Sequence, residues 1–138
     1  MSKIMGLDIG TKRIGVALSD VMQIIAQPYD VIIRKSDDYA LQKIKEICNN
    51  YQVNTIVVGL PKDMNGTMGT QAQNCVDFAQ KLNEYKIVFE DERLTSKQAE
   101  NILRDLNKKY TKDKKQVDIK SACIILQQYL DRRKLNGK

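Results

Sequence analysis

Short apolar runs alternate with amphipathic segments along this chain, and their order restricts the fold more than any other feature of the sequence. The apolar runs span residues 3–9, 13–20, 29–33, 54–59 and 87–92. A short turn, Gly10–Arg13, joins the first two and predicts a hairpin. The later runs are separated by segments with helical spacing, which predicts parallel strands joined by helical crossovers. The order βββαβαβαα therefore predicts an α/β fold, in which a three-strand antiparallel meander and parallel strands form one mixed sheet flanked by helices.

The helical segments are recognised by apolar residues at intervals of three and four. Asp37 and Asp38 precede the first helix, and Thr95–Gln98 resembles a capping box for the third. A polar, lysine-rich loop is predicted over residues 108–116, and the last helix from about Asp118 to Arg133. No linker or repeat interrupts the pattern, so residues 1–138 are expected to form one domain.

Composition excludes several classes of protein. The chain has no histidine, which rules out Ser-His-Asp and Cys-His nucleophiles and histidine-ligated zinc. No apolar run approaches the ~20 residues of a membrane span, and no signal peptide is predicted. Three widely spaced cysteines, Cys48, Cys75 and Cys123, are expected to be reduced core thiols in a cytoplasmic protein.

Acidic residues stand at the ends of the best-defined segments. Asp8 ends the first strand, Asp91 and Glu92 end the fifth, and Asp118 shares the apolar stripe of the last helix. Ligands bind beyond the carboxyl ends of strands in sheets of this kind. Mg²⁺ binds through a few carboxylates together with phosphate oxygens and waters. With a net charge of +6, the pattern predicts a metal-dependent nuclease.

Structural explanations remain open for each acidic position. Asp118 could be a helix N-cap. The Asp91–Glu92 pair could form a strand-end salt bridge with Arg93. Asp8 could accept hydrogen bonds from the amides of the following turn. A further alternative is that this glycine-bearing turn binds a nucleotide phosphate, as a similar turn does in actin-like ATPases and sugar kinases. Those enzymes need a second comparable domain, for which this chain is too short.

Four blocks of sequence resemble the YqgF/RuvX family of pre-16S rRNA nucleases and Holliday junction resolvase-like proteins. They are Leu7–Asp20, Val57–Pro61 with Asn65–Thr67, Asp91–Thr95, and Val117–Asp118 with Ala122, Ile125–Gln127 and Tyr129–Leu130. The resemblance covers nearly the whole chain. It implies an RNase H-like fold, Mg²⁺ or Mn²⁺ dependence, and a metal-binding catalytic triad of Asp8, Glu92 and Asp118. Asp91 is the alternative to Glu92, since strand alternation puts the two on opposite faces.

Basic residues gather where a polyanion would be expected to bind. The candidate nucleic-acid contacts are Lys12, Arg13, Arg93, Lys108, Lys109, Lys112, Lys114 and Lys115. Such side chains bind phosphates without reading sequence, although solvated surface charge is the alternative.

Three functions follow as hypotheses. The first is cleavage of structured RNA, with precursor rRNA as the expected partner. The others are resolution of branched DNA and non-catalytic RNA binding during ribosome assembly. The chain is expected to be a monomer or weak homodimer with no membrane partner.

Overall fold

The computed structural model describes residues 2–61, 69–91 and 114–135, with side chains from residue 119 to residue 134 in the last range. Five strands and three helices follow one another in these segments. They are β1 (Ile4–Ile9), β2 (Arg13–Ser19), β3 (Ala26–Ile33), α1 (Asp37–Tyr51), β4 (Thr55–Leu60), α2 (Thr70–Gln80), β5 (Lys86–Asp91) and α3 (Lys114–Leu135). None of these three helices combines the length and apolar character needed to cross a membrane.

The five strands form one mixed sheet in the order β3-β2-β1-β4-β5. The first three strands pair antiparallel, whereas β1, β4 and β5 run parallel. Leu7 of β1 pairs with Val58 of β4, which pairs with Phe89 of β5. The carboxyl ends of the three parallel strands therefore lie at one edge of the sheet. The predicted meander extended by parallel strands is confirmed.

Each face of the sheet buries a separate apolar core. Alternate residues of β1, including Met5 and Leu7, pack in the core that includes residues of α1 and α2. Ile4 and Val57 pack instead with Ala122, Leu126 and other residues of α3. Strand alternation thus divides β1 cleanly between the two faces, and the even-numbered residues face α3.

Gly6 allows α3 to lie directly on β1. A Cβ atom at this position would stand 2.7 Å from Cβ of Leu126 and 3.0 Å from the carbonyl oxygen of Ala122. The C-terminal part of α3 reaches the segment that leads into β3, where Gln127 accepts a hydrogen bond from the amide of Ala26, the first residue of β3, and donates one to the carbonyl of Ile24. Because this segment lies beside the start of β1, the helix runs antiparallel to that strand. Its N-terminal turns point towards the carboxyl end of β1.

Two predicted boundaries are wrong. α3 begins at Lys114, one turn earlier than predicted, so the last part of the predicted loop is helical. β3 begins at Ala26, which pairs with Ser19 of β2. The pairing between the two strands continues across Pro28, where the prediction ends it. The predicted helix at 95–106 and most of the predicted basic loop lie outside the described residues.

The three cysteines are buried, as predicted for core residues, and none forms a disulfide. Burial raises the pKa of Cys48 to about 11 and that of Cys123 to about 12. The thiolate is the reactive form of cysteine, and the raised pKa keeps both thiols protonated at neutral pH. Both side chains therefore serve as core residues and not as nucleophiles.

Replacing Gln52 with glycine is expected to stabilise the fold. Gln52 ends α1 in the left-handed region, at φ 55° and ψ 52°. That conformation is strained for a residue with a Cβ atom, so Gln52→Gly should raise the free energy of unfolding by about 1 kcal/mol in urea titrations. Gln23, at φ 59°, is the matched control. Its side chain bonds to Ser2 and Arg133, so Gln23→Gly should give no gain. A loss of stability in Gln52→Gly would contradict the argument.

Candidate active site at the carboxyl edge of the sheet

Asp8 lies next to last on β1, half-buried and directly opposite Gly15 of β2. Gly15 has no side chain, so no β2 side chain stands directly beside the carboxylate at this pair. Asp8 shares its face of the sheet with Gly6, which touches α3. The side chain therefore lies on the α3 face, at the edge where β1, β4 and β5 all end.

The two faces of β5 are fixed by the contacts of its residues. Ile87 packs against the α1–α2 core and Val88 against the α3 core. Glu90, like Val88, faces α3, where its carboxylate forms an ion pair with Arg132. Asp91 is next and pairs with Leu60, a residue of the α1–α2 core. Asp91 thus lies on the face opposite Asp8.

Glu92 follows Asp91 and lies outside the described residues. A strand continued by one residue would return it to the face of Glu90 and Asp8. The alternation of side chains along a strand therefore favours Glu92 over Asp91 as the residue that would bind the same ion as Asp8. The assignment of Glu92 as a ligand stays a prediction.

The backbone of Asp118 lies in the second turn of α3, since the helix begins at Lys114. The N-cap explanation for this residue is therefore wrong. Asp118 is four residues before Ala122, about 6 Å along the helix. Asp8 is two residues beyond Gly6, about 7 Å along β1. Because Gly6 touches Ala122 and the two elements are antiparallel, Asp8 and the backbone of residue 118 lie at the same level of the sheet.

The donor chemistry at this edge suits a hard divalent cation. Asp8, Glu92 and Asp118 would offer only carboxylate oxygens, which are the ligands of Mg²⁺ and Mn²⁺. No group of three acidic, cysteine or histidine side chains comes together among the side chains that the structure describes. Two of the three predicted ligands lie outside that set, so the triad stays a prediction.

The turn after Asp8 carries the described part of the predicted nucleic-acid contact. The amide of Gly10 donates to the carbonyl of Arg13 at 2.9 Å and closes the β1–β2 hairpin. Lys12 at its tip is exposed, and Arg13 is half-buried. Of the other predicted contacts, Lys114 and Lys115 lie in the first turn of α3, while Arg93, Lys108, Lys109 and Lys112 lie outside the described residues.

Arg34 is a residue at this edge that the sequence analysis missed. Its side chain is only 9% exposed and holds the hairpin turn from beneath. Nη1 donates to the carbonyl of Gly10 at 2.7 Å, and Nε donates to Oδ1 of Asp37 at 2.9 Å. The guanidinium also stacks on Phe78 of α2, with Cζ 4.8 Å from the ring centroid. Arg34 therefore fixes the turn against both helices.

The contacts of Arg34 also set the charge state of Asp37. The pKa of Asp37 is lowered, first by the hydrogen bond from Arg34 and then by that from Lys81. Asp37 therefore stays ionised through the neutral range. The only sequence signal for Arg34 was its position after a strand and before an acidic helix start, which is too common to identify such a network.

Two solved structures with a similar architecture are resolvases. Thermus thermophilus RuvC in complex with a Holliday junction has a TM-score of 0.63 and 11% identity, covering 97% of this chain and 96% of that one. Fowlpox virus resolvase, also solved with Holliday junction DNA, has a TM-score of 0.60 and 14% identity, covering 95% and 98%. The sheet order and the helix across it thus define a resolvase-type, RNase H-like fold.

Sequence relationships identify the family. The model of the family described as RuvX, Holliday junction resolvase, matches residues 2–132. A Caldanaerobacter subterraneus relative is 46% identical over 136 residues, covering 96% of this chain and 98% of the relative. A Clostridium botulinum relative is 45% identical over 132 residues, covering 94% and 96%. Both carry the provisional name pre-16S rRNA nuclease. The chain belongs to the RuvX family, and this membership places it among the nucleases.

Proposed function

We propose that the chain is a divalent-metal-dependent endonuclease that cleaves structured RNA and processes the 5′ end of precursor 16S rRNA in the cytoplasm. The position of Asp8 carries the proposal. A half-buried carboxylate at the shared carboxyl edge of three parallel strands, facing α3, is suited to hold a cation against a phosphate. The name shared by relatives that are nearly half identical supports RNA as the substrate.

Three carboxylates would hold the ion. Asp8 would contribute from β1, Glu92 from the segment after β5, and Asp118 from α3. The placement of Asp91 on the opposite face supports Glu92 as the ligand. When bound, Mg²⁺ or Mn²⁺ supplies Lewis-acid polarisation of the phosphate that is cleaved.

The side chains around the ion have separate tasks. Because the chain has no histidine, the carboxylates are the groups that would orient the attacking water and accept its proton. Lys12 and Arg13 would hold the sugar-phosphate backbone next to Asp8. Arg34 would keep their turn in place through the carbonyl of Gly10.

Cleavage of a precursor 16S rRNA 5′ leader, with Mg²⁺, with Mn²⁺ and with EDTA, tests the proposal. A four-way DNA junction assayed in parallel separates the two substrate classes. A metal-dependent RNA product with an intact junction is expected. Cleavage of the junction alone would assign the activity to branched DNA. RNA binding with no product in either metal would indicate a binding factor instead.

Sedimentation velocity should also be measured for the protein alone, with RNA and with the four-way DNA junction. We expect a monomer or weak homodimer. A resolvase that cuts two strands of one junction symmetrically needs two active sites on it, so a stable dimer formed only on the DNA junction would support the branched-DNA substrate.

Lys12→Ala is expected to weaken RNA binding through the loss of one phosphate contact. Lys12 is exposed at the tip of the β1–β2 turn, so its removal should leave the fold unchanged. Each phosphate contact releases condensed counterions, so the slope of log affinity against log salt should become shallower by about 0.7–0.9. Fluorescence anisotropy with the labelled leader, measured from low to high salt, gives this slope.

Lys86→Ala removes the same charge at the opposite end of the sheet and serves as the matched control. Its slope should equal that of the wild type, apart from a small effect of net charge. Equal slopes for both variants and the wild type would remove Lys12 from the RNA contact.

A further inference from the structure

The loop between β2 and β3 exposes a cluster of large apolar side chains. Val21 is 50% exposed, Met22 60%, Ile24 50% and Ile25 54%. These are four of the seven exposed large apolar residues in the described part of the chain. Scattered apolar residues are normal on a surface, whereas a contiguous group of this kind marks an interaction site.

Hydrogen bonds hold this loop in one conformation. Oδ1 of Asp20 accepts from the amides of Ile24 at 2.8 Å and Ile25 at 2.9 Å. The hydrogen bonds from these amides, of which the one from Ile25 has the largest effect, lower the pKa of Asp20. Its carboxylate is therefore ionised at neutral pH. Nε2 of Gln23 donates to the carbonyl of Ser2 at 2.7 Å. The polar groups of the loop thus bond inwards while the apolar side chains remain outside.

α3 supports the loop from below. Gln127 is buried, its Nε2 donates to the carbonyl of Ile24 at 3.0 Å, and its Oε1 accepts from Ala26 at 2.8 Å. Nη2 of Arg133 donates to Oε1 of Gln23 at 2.9 Å. A surface fixed in this way loses little conformational entropy when a partner binds, which favours association.

A cleft of about 470 Å³ separates the loop from the C-terminal turns of α3. Its apolar wall includes Met22, Ile24, Ile25 and Leu130, and its basic wall includes Arg133 and Lys134. The volume is large enough for one or two apolar side chains of a bound segment. The cleft therefore has an apolar wall on one side and positively charged side chains on the other.

Charge decides which kind of partner fits. Asp131, the acidic residue in the lining, is half-buried and its Oδ1 accepts a hydrogen bond from Gln127 at 3.0 Å, whereas Lys134 is exposed. Three basic residues, Arg132, Arg133 and Lys134, lie in the last turn of α3. Arg132 pairs with Glu90, so Arg133 and Lys134 are the cations that line the cleft. A second copy of the chain would bring these cations together in a symmetric contact and carries a net charge of +6 itself. Nucleic acid would leave the four apolar side chains without a complementary surface.

We propose that the Val21–Ile25 loop and the last turns of α3 form a docking site for an acidic segment of a partner protein, anchored by apolar side chains. The loop adjoins the start of β1, through the bond between Gln23 and Ser2. Asp8 lies at the other end of that strand, about 13 Å from Ile4. A partner bound at the loop leaves the candidate active site open and holds the nuclease without blocking it.

Selection from a displayed library of random 12-residue peptides tests the proposal. Peptides are selected on the wild-type protein and depleted on a Met22→Ser/Ile24→Ser variant. We expect the surviving peptides to be rich in Asp and Glu and to carry Leu, Phe or Trp. Synthesised and labelled, they should bind at least about tenfold more weakly to the double variant, which loses two apolar anchors, and more weakly to Lys134→Glu, which reverses a charge at the cleft.

Phe89→Ser removes an exposed apolar side chain elsewhere and is the matched control, with binding expected to be unchanged. Circular dichroism and RNA cleavage should be unaltered in all the loop variants, so this test does not depend on the proposed substrate. Peptides without acidic enrichment, or with equal affinity for the double variant, would overturn the proposal. So would a wild-type dimer in sedimentation velocity that Met22→Ser/Ile24→Ser dissociates, because the occupant would then be a second copy.

Discussion

Asp8→Asn is expected to abolish metal-dependent cleavage while leaving the fold intact. The amide keeps the size of the side chain but removes the negative charge that would bind the cation. Changes in groups that merely support a metal ligand reduce activity by about 10–100-fold. Loss of a ligand itself should reduce the cleavage rate of the precursor leader by at least about 100-fold. Single-turnover cleavage at saturating protein measures this effect separately from RNA affinity.

Asp91→Asn and Glu92→Gln provide the matched comparison. Asp91 lies on the face of β5 opposite Asp8, so its amide variant should retain most of the cleavage rate. Glu92→Gln should behave like Asp8→Asn. Calorimetric titration with Mn²⁺ should show weakened binding in the same two inactive variants. Full activity in Asp8→Asn would exclude Asp8 from the site, and a loss confined to Asp91→Asn would exchange Asp91 for Glu92 as the ligand.

Gly6→Ala is expected to give the largest loss of stability. The added methyl group would stand 2.7 Å from Cβ of Leu126 and 3.0 Å from the carbonyl oxygen of Ala122. Neither atom belongs to the flexible end of a side chain, so α3 must move away from β1. Overpacking of this kind costs about 1–3 kcal/mol. Urea denaturation should show a lower midpoint, with little change in slope.

The sign of this change distinguishes the close contact from a general effect of replacing glycine. Where space is available, Gly→Ala stabilises a protein by about 0.4–1 kcal/mol by restricting the unfolded chain. A lower free energy of unfolding in Gly6→Ala would therefore be the opposite of the usual effect of replacing glycine with alanine. Cleavage should also fall, because a displaced α3 carries the backbone of Asp118 away from Asp8. Unchanged or increased stability in Gly6→Ala would show that α3 does not pack against β1 as described.

Much of the architecture could be predicted because it depends on local patterns. Strand and helix periods produce the element order, and the order restricts the sheet to a meander extended by parallel strands. Asp8 could be assigned to the end of β1 for the same reason, since an acidic residue in an apolar strand has few structural roles. The burial of the cysteines follows from their apolar neighbours.

The start of α3 could not be predicted, because Lys114–Val117 is polar enough to resemble a loop. Its helical conformation is supported by a long apolar stripe further along, including Ala122 and Leu126, that packs on the sheet. Helix formation is cooperative, so a turn of low apolar content can be added to a helix already stabilised by tertiary contacts.

Composition and short-range periodicity specify the class of fold, the acidic residues at the strand ends and the absence of imidazole chemistry. Packing between distant parts of the chain specifies which face of β5 carries Asp91, how closely α3 approaches Gly6, and which groups Arg34 contacts. It also decides that Met22 and Ile24 remain exposed, although their apolar character alone would favour burial. These properties depend on register and packing between residues distant in the chain, and local patterns contain no information about such distances.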